Sequence, residues 1–231
     1  MKTRILSAAV TLLFCLTKSF AQFGIQGGGT ISKARSSYGP ISVDPDMKTG
    51  FTAGVAYRMP IGTNFSLQPE INLLQKGYKV EFEEVFDDEY YKIDGKTTLN
   101  YLEVPIYFLY TANEGTGFFV GVGPSANLGL SGKYKWVENE ITDEGKIGFG
   151  TGDNDHLKGF HLAINAQAGY TFQSGFTLNA FVSQTITNSA IQEEEEFELE
   201  TKQSFFNFGA RVGYFLPNYG YGKAKHLKNP L

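Results

Sequence analysis

Arg58, Glu70, Glu103, His161 and Arg211 are the residues of this chain best equipped for chemistry, and each sits among alternating apolar and small residues. A carboxylate within reach of a guanidinium forms a charge-assisted pair. A histidine beside a serine supplies a base and its nucleophile. Arg58 and Glu70 flank one short turn, so antiparallel pairing predicts that they meet. The five residues are expected to form an interior network, because charges removed from water must be paired. A proton or substrate path is the alternative role for the same groups. Ser125, Ser131 and Ser183 are the candidate nucleophiles for His161, but no motif ties them to it. Asp153, Asp155 and His156 fall together, yet their spacing matches no calcium loop. GIQGGG at 24–29 opens a strand with no helix after it, which excludes a phosphate loop. The reading is therefore a protein without catalytic residues, cofactor or metal site.

The elements that position these residues are strands. In FHLAINAQAGYTF (160–172) every second residue is apolar, and the residues between are small or polar. A period of two gives a strand with one greasy and one polar face. The pattern predicts eight strands, over 23–33, 48–60, 65–84, 96–111, 117–137, 157–172, 175–191 and 201–216. The connections are about 14, 4, 11, 5, 19, 3 and 9 residues long, so long and short alternate, as in barrels with tight turns at one end and long loops at the other. The long connections include the acidic runs EEVFDDEYY (83–91) and EEEEFELE (193–200), expected to project into solvent because such charges repel. The outward residues on 48–60 (Phe51, Ala53, Val55, Tyr57, Met59) and on 201–216 (Phe206, Phe208, Ala210, Val212, Tyr214) carry no charge. Aromatics gather near both ends: Phe65, Tyr110, Phe118, Tyr170, Phe172, Phe176 and Tyr214 by the short turns, and Phe51, Tyr78, Tyr134, Trp136, Phe160 and Phe206 by the long ones. Two such belts suit a strand set that crosses a bilayer.

The start of the chain reads as a secretory signal over 1–21. Lys2 and Arg4 precede an apolar run (5–16), and Ser19-Phe20-Ala21 offers small residues before a cut at Gln22. Twelve residues are too few to span a bilayer as a helix. Cys15, the one cysteine, leaves with the signal, which excludes disulfides and thiolate chemistry. Loss of Lys2, Arg4 and Lys18 leaves 17 basic against 24 acidic residues, a balance unsuited to nucleic acid. No apolar run reaches 18 residues, so any membrane span must be built from strands. Twenty-seven Gly, 20 Phe and 13 Tyr agree with strands and turns rather than helices.

The prediction is an all-β protein: an eight-stranded antiparallel up-and-down transmembrane β-barrel over 22–216, followed by a basic periplasmic tail over 217–231. Its partners are outer-membrane lipid and a protein at the external loops or the periplasmic face. It is expected to be monomeric. With eight strands the lumen is filled by side chains and forms no pore. A soluble secreted barrel binding a small apolar ligand is the rival.

FSLQPEINLLQKGY (65–78), YLEVPIYFLY (101–110) and FFVGVGPSANLGLSG (118–132) resemble the small outer-membrane β-barrel family of Bacteroidetes-type bacteria, often called PorT-like. The resemblance covers nearly all of the chain after residue 21. It implies an integral outer-membrane location and, through PorT itself, a link to protein secretion. It also implies barrel-building roles for Pro69, Glu70, Lys76, Gly77, Glu103, Pro105 and Pro124. Pro105 and Pro124 are expected to mark bulges or local breaks in the ladder.

Overall fold

The computed structural model describes residues 22–38, 41–43, 45–86, 89–113, 115–138, 141–150, 157–190 and 201–216. The described chain is built from strands: β1 (Gln22–Tyr38), β2 (Ile41–Val43), β3 (Asp46–Pro60), β4 (Phe65–Phe86), β5 (Glu89–Asn113), β6 (Thr116–Glu138), β7 (Ile141–Ile147), β8 (Phe160–Thr171), β9 (Phe176–Thr185) and β10 (Thr201–Phe215). Eight of them form a closed antiparallel ring in the order β1, β3, β4, β5, β6, β8, β9, β10. The ring shuts where β10 pairs with β1, from Gly24 opposite Phe215 to Tyr38 opposite Thr201. β2 pairs with the end of β1, and β7 with the end of β6. All eight predicted ring strands are present.

Side-chain parity decides which face is which. On β9, Phe176, Leu178, Ala180 and Val182 point out, while Thr177, Asn179, Phe181 and Ser183 point in. β8 repeats the scheme, with Phe160, Leu162 and Ile164 outside and His161, Ala163 and Asn165 inside. The exterior is therefore apolar and the interior largely polar, which inverts a water-soluble barrel. Isolated exposed apolar residues are common on soluble proteins, but a continuous girdle is not. Small residues let the seam close. A Cβ at Gly28 would run into the Ala210 carbonyl and the Arg211 backbone across from it.

The two ends of the ring differ. The short turns after β3, β5 and β8 share one end with Gln22 and Phe215; there Phe215 donates its N–H to the Gly175 carbonyl and Leu216 to that of Phe23. An aromatic belt runs outside this turn end. Phe65 stacks on Phe108 at 5.4 Å, Phe118 meets Tyr170 edge-on at 4.9 Å, and Tyr170 meets Phe172 at 4.9 Å.

At the opposite end the sheet continues where loops were expected. β4 and β5 stay paired as far as Phe86 opposite Glu89. The acidic run from 83 thus lies in a hairpin rather than a solvated loop. Its Val, Phe and Tyr residues favour strands, and the carboxylate of Glu83 is met by Lys92 at 2.8 Å. The stretch after 137 likewise continues as β6 and turns back as β7. Residues 151–156, 191–200 and 217–231 lie outside the described residues, and with them Asp153, Asp155, His156, the whole glutamate run over 193–200 and the basic tail.

Two further expectations need correction. A register shift between β5 and β6 at Asn100/Tyr101 leaves Leu130 as an extra residue on β6, between Gly129 and Ser131. Parity on β6 changes there, so Tyr134 and Trp136 turn to the inner face, where Trp136 packs over Gly95. Tyr78 also faces in, against the apolar cluster of Leu99, Tyr101 and Phe205. The second aromatic belt is therefore thinner than predicted, resting on Phe51, Phe160 and Phe206. Of the two alternatives for Pro105 and Pro124, the local break is the one seen: the ladder skips positions near them and keeps one register across the gap.

The outer face yields a direct test. Ile71 sits outside on the middle of β4, and Ile141 lies on the β7 extension. Ile71→Arg should destabilise the barrel in lipid vesicles by about 2–4 kcal/mol on urea unfolding. Ile141→Arg should change it by under about 1 kcal/mol. Equal effects at the two sites would contradict the assignment of the girdle to lipid.

Candidate functional site

The lumen holds the chemistry-bearing residues, in layers. Nearest the turn end, Arg58 on β3 donates Nε–H to Gln68 Oε1 at 2.8 Å and Nη1–H to Thr171 Oγ1 at 3.3 Å. Its guanidinium lies over the Phe215 ring at 4.4 Å and the Phe119 ring at 5.3 Å. These rings close this end and favour a cation. Arg58 does not pair directly with Glu70, as turn geometry had suggested. Ala56 is the residue opposite Glu70, which sets Arg58 a step nearer the turn. Gln68 bridges the gap by donating to Glu70 Oε1 at 2.7 Å.

Glu70 anchors the middle layer. Its carboxylate accepts from Arg211 Nη1 at 2.8 Å, Gln26 Nε2 at 2.6 Å, Asn72 Nδ2 at 2.9 Å and Gln68. Both charged side chains are out of solvent, at 0% and 2% exposure. Arg211 spends its other donors on Asn179 Oδ1 at 3.1 Å and Gln167 Oε1 at 3.0 Å, with the Phe181 ring 4.5 Å from its guanidinium carbon. Four donors on one carboxylate, and three acceptors around one guanidinium, offset much of the desolvation that burial imposes.

Glu103, in the next layer, accepts from Asn165 Nδ2 at 3.0 Å. Asn165 continues through Ser125 to Asn127, and Asn127 accepts from Lys76 Nζ at 3.1 Å. Lys76 and His161 complete the network. Their nitrogens are 3.2 Å apart, and Lys76 also lies 4.6 Å from the Tyr101 ring centre. An ammonium only donates, so His161 accepts at Nε2 and its proton sits on Nδ1. Beyond this layer, Ala34, Leu99, Tyr101, Leu157 and Phe205 close the far end as an apolar cap.

Arg58, Glu70 and Arg211 thus form one cluster, and Glu103 and His161 belong to a second, joined through Asn165, Ser125, Asn127 and Lys76. Sequence reading gave Lys76 no place in the lumen, although its even spacing from Glu70, Asn72 and Leu74 puts it on the inner face. The amides at 26, 68, 72, 127, 165, 167 and 179 were also passed over. The signal was there, since each sits at the polar parity of its strand.

The arrangement ties the interior side chains to one another. His161 bonds none of the candidate serines. Ser125 is engaged with two asparagines, and Ser131 accepts from Asn100 on the outer face. Among the described residues no group of three potential metal ligands is found.

Residues 16–190 match the family described as outer membrane protein beta-barrel domain. Similar solved structures include the attachment invasion locus protein Ail of Yersinia pestis, with 16% identity, 84% of this chain and 99% of that one covered, and a TM-score of 0.41. They also include Neisserial surface protein A (12% identity, 85% and 99% covered, 0.41) and OprG of Pseudomonas aeruginosa (13%, 86% and 97%, 0.43). No curated protein matches the sequence.

The buried pair makes a second prediction. Glu70→Gln and Arg211→Met should each destabilise the barrel by about 3–5 kcal/mol, because each strands its partner. The double variant should cost clearly less than the sum, with a coupling of at least about 1 kcal/mol on urea unfolding. Additive losses would mean that the two charges do not act as a pair.

Proposed function

The chain belongs to the outer membrane protein beta-barrel family, and we propose that it serves as a closed, non-enzymatic barrel whose extended sheet end faces the cell exterior and meets partners. Family membership supports an outer-membrane location. The observation that carries the rest is the contrast between a lumen packed from cap to cap and a sheet that runs well past the apolar girdle. A filled lumen conducts nothing, and binding function usually resides where a rigid frame projects chain into solvent. In this reading residues 1–21 are a signal removed on export, the termini stay in the periplasm, and the barrel works as a monomer.

A second reading rests on the PorT-like resemblance. There the barrel assists secretion of other proteins, and its contacts lie at the turn end and along the basic tail over 217–231. The two readings place the working surface at opposite ends. An epitope inserted between Glu138 and Ile141 should be labelled by antibody on intact cells. Removing the β6–β7 extension should then abolish partner capture, while truncation after Leu216 should leave it unchanged. Loss of protein export on truncation, with no effect of hairpin removal, would replace the first reading with the second. In planar bilayers the purified protein should give no steady single-channel steps; large open steps would contradict the packed lumen.

A further inference from the structure

The outer face changes character in successive rows beyond the girdle. Leu73 on β4, Leu102 on β5 and Leu128 on β6 form the last wholly apolar cross-strand row. Next comes a row of amides and a hydroxyl, with Gln75 donating to Asn100 at 3.1 Å and Asn100 to Ser131 at 3.0 Å. These bonds run along the outside and mark the level at which hydrocarbon gives way to polar surroundings. The following row is Gly77, Thr98 and Lys133, and the one after it is Lys79, Lys96 and Lys135. Lys146 on β7 stands opposite Lys133.

Lys48 on β3 stands opposite Ser32 and is buried at the inner parity of Thr52 and Arg58, so it is not part of this surface. Five lysines (Lys79, Lys96, Lys133, Lys135 and Lys146) share one outer patch. Among the described residues none of them is ion-paired; Asp46 and Glu144 are the carboxylates opposite Lys79 and Lys135 in register. Further out, by contrast, Lys92 pairs with both Glu83 in its own row and Asp94 in the row before it. Like charges directly opposite one another destabilise a sheet, so the lysine rows are suited to an anion supplied from outside the chain.

We propose that this patch binds the phosphate groups of a phosphorylated glycolipid in the outer leaflet. Height selects the lipid. Lys79 and Lys96 lie six residues past the last leucine row, which at about 3.3 Å per residue and a tilt near 40° is roughly 15 Å above it. A phospholipid headgroup layer is only about 5–8 Å deep. Phosphates carried on sugars reach higher, and an array of ammoniums accepts several of them at once. The inference rests on the proposal that the extended end faces outward.

The test uses the full barrel in phosphatidylcholine nanodiscs doped with a lipopolysaccharide phosphorylated on its core sugars, or with the same lipid dephosphorylated. The wild type should bind the phosphorylated form at least about tenfold more tightly. Lys79→Gln, Lys96→Gln and Lys133→Gln together should weaken that binding about 100-fold, as expected for three lysines at a charged lipid surface. The matching arginine triple should retain it. Preservation of the heat-modifiable band on gels verifies that each variant is folded. Equal binding by the glutamine triple, or equal binding of dephosphorylated lipid, overturns the proposal. So does displacement by millimolar inorganic phosphate, which would make the patch a site for free anions. A wrong orientation appears separately, as failure of surface labelling between Glu138 and Ile141 while lipid binding in nanodiscs persists.

Discussion

Pairing of β1 with β10 is the interaction on which the rest of the structure depends. In hydrocarbon no water is present to satisfy a free strand edge, and each orphaned backbone group costs several kcal/mol. The chain answers by bringing its first and last strands together over 15 successive residue pairs. Closure requires close backbone approach, which Gly28 and Gly209 permit. It also fixes the strand number at eight, and with it the width of the lumen.

A lumen of that width sets the next constraint. Four cations (Lys48, Arg58, Lys76, Arg211) and two anions (Glu70, Glu103) are buried, where solvent cannot screen them. The chain places the carboxylates between the cations and fills the intervals with amides, so most polar atoms find partners. Aromatic rings cap both ends and face the arginines and Lys76, which turns apolar closure into a source of cation stabilisation. The lumen is thereby filled with side chains, and this is the ground on which the proposed function is placed at the barrel's surface. The lysine rows extend the same logic outward, with apolar, amide and charged belts following the depth of the membrane.

Much of this was legible in the sequence because period-two alternation is a local signal. FHLAINAQAGYTF carries its own face assignment, and the tight turns at 61–64 and 173–175 place the hairpins. What was missed depends on relations between strands. The displacement of Arg58 from Glu70 follows from a pairing offset that no local pattern encodes. The inward turn of Tyr134 and Trp136 comes from one extra residue at Leu130, which reverses every later side chain on that strand. The hairpin at 83–92 was read as loop because a run of acidic residues suggests repulsion; the cross-strand lysine at 92 lies outside the run itself. Lys76, named only through the resemblance, was not placed in the lumen for a different reason. A lysine between strand residues looks solvated until parity is followed through the whole strand.

The central claim is that this ring faces lipid on one side and a packed polar interior on the other. Nitroxide labels placed one at a time at Leu162, Ala163, Ile164 and Asn165 of β8 in reconstituted vesicles test it most directly. Accessibility to dissolved oxygen should alternate, high at 162 and 164 and low at 163 and 165. Uniform accessibility along the four positions, or strong access of a water-soluble relaxation agent at 162 and 164, would contradict the account.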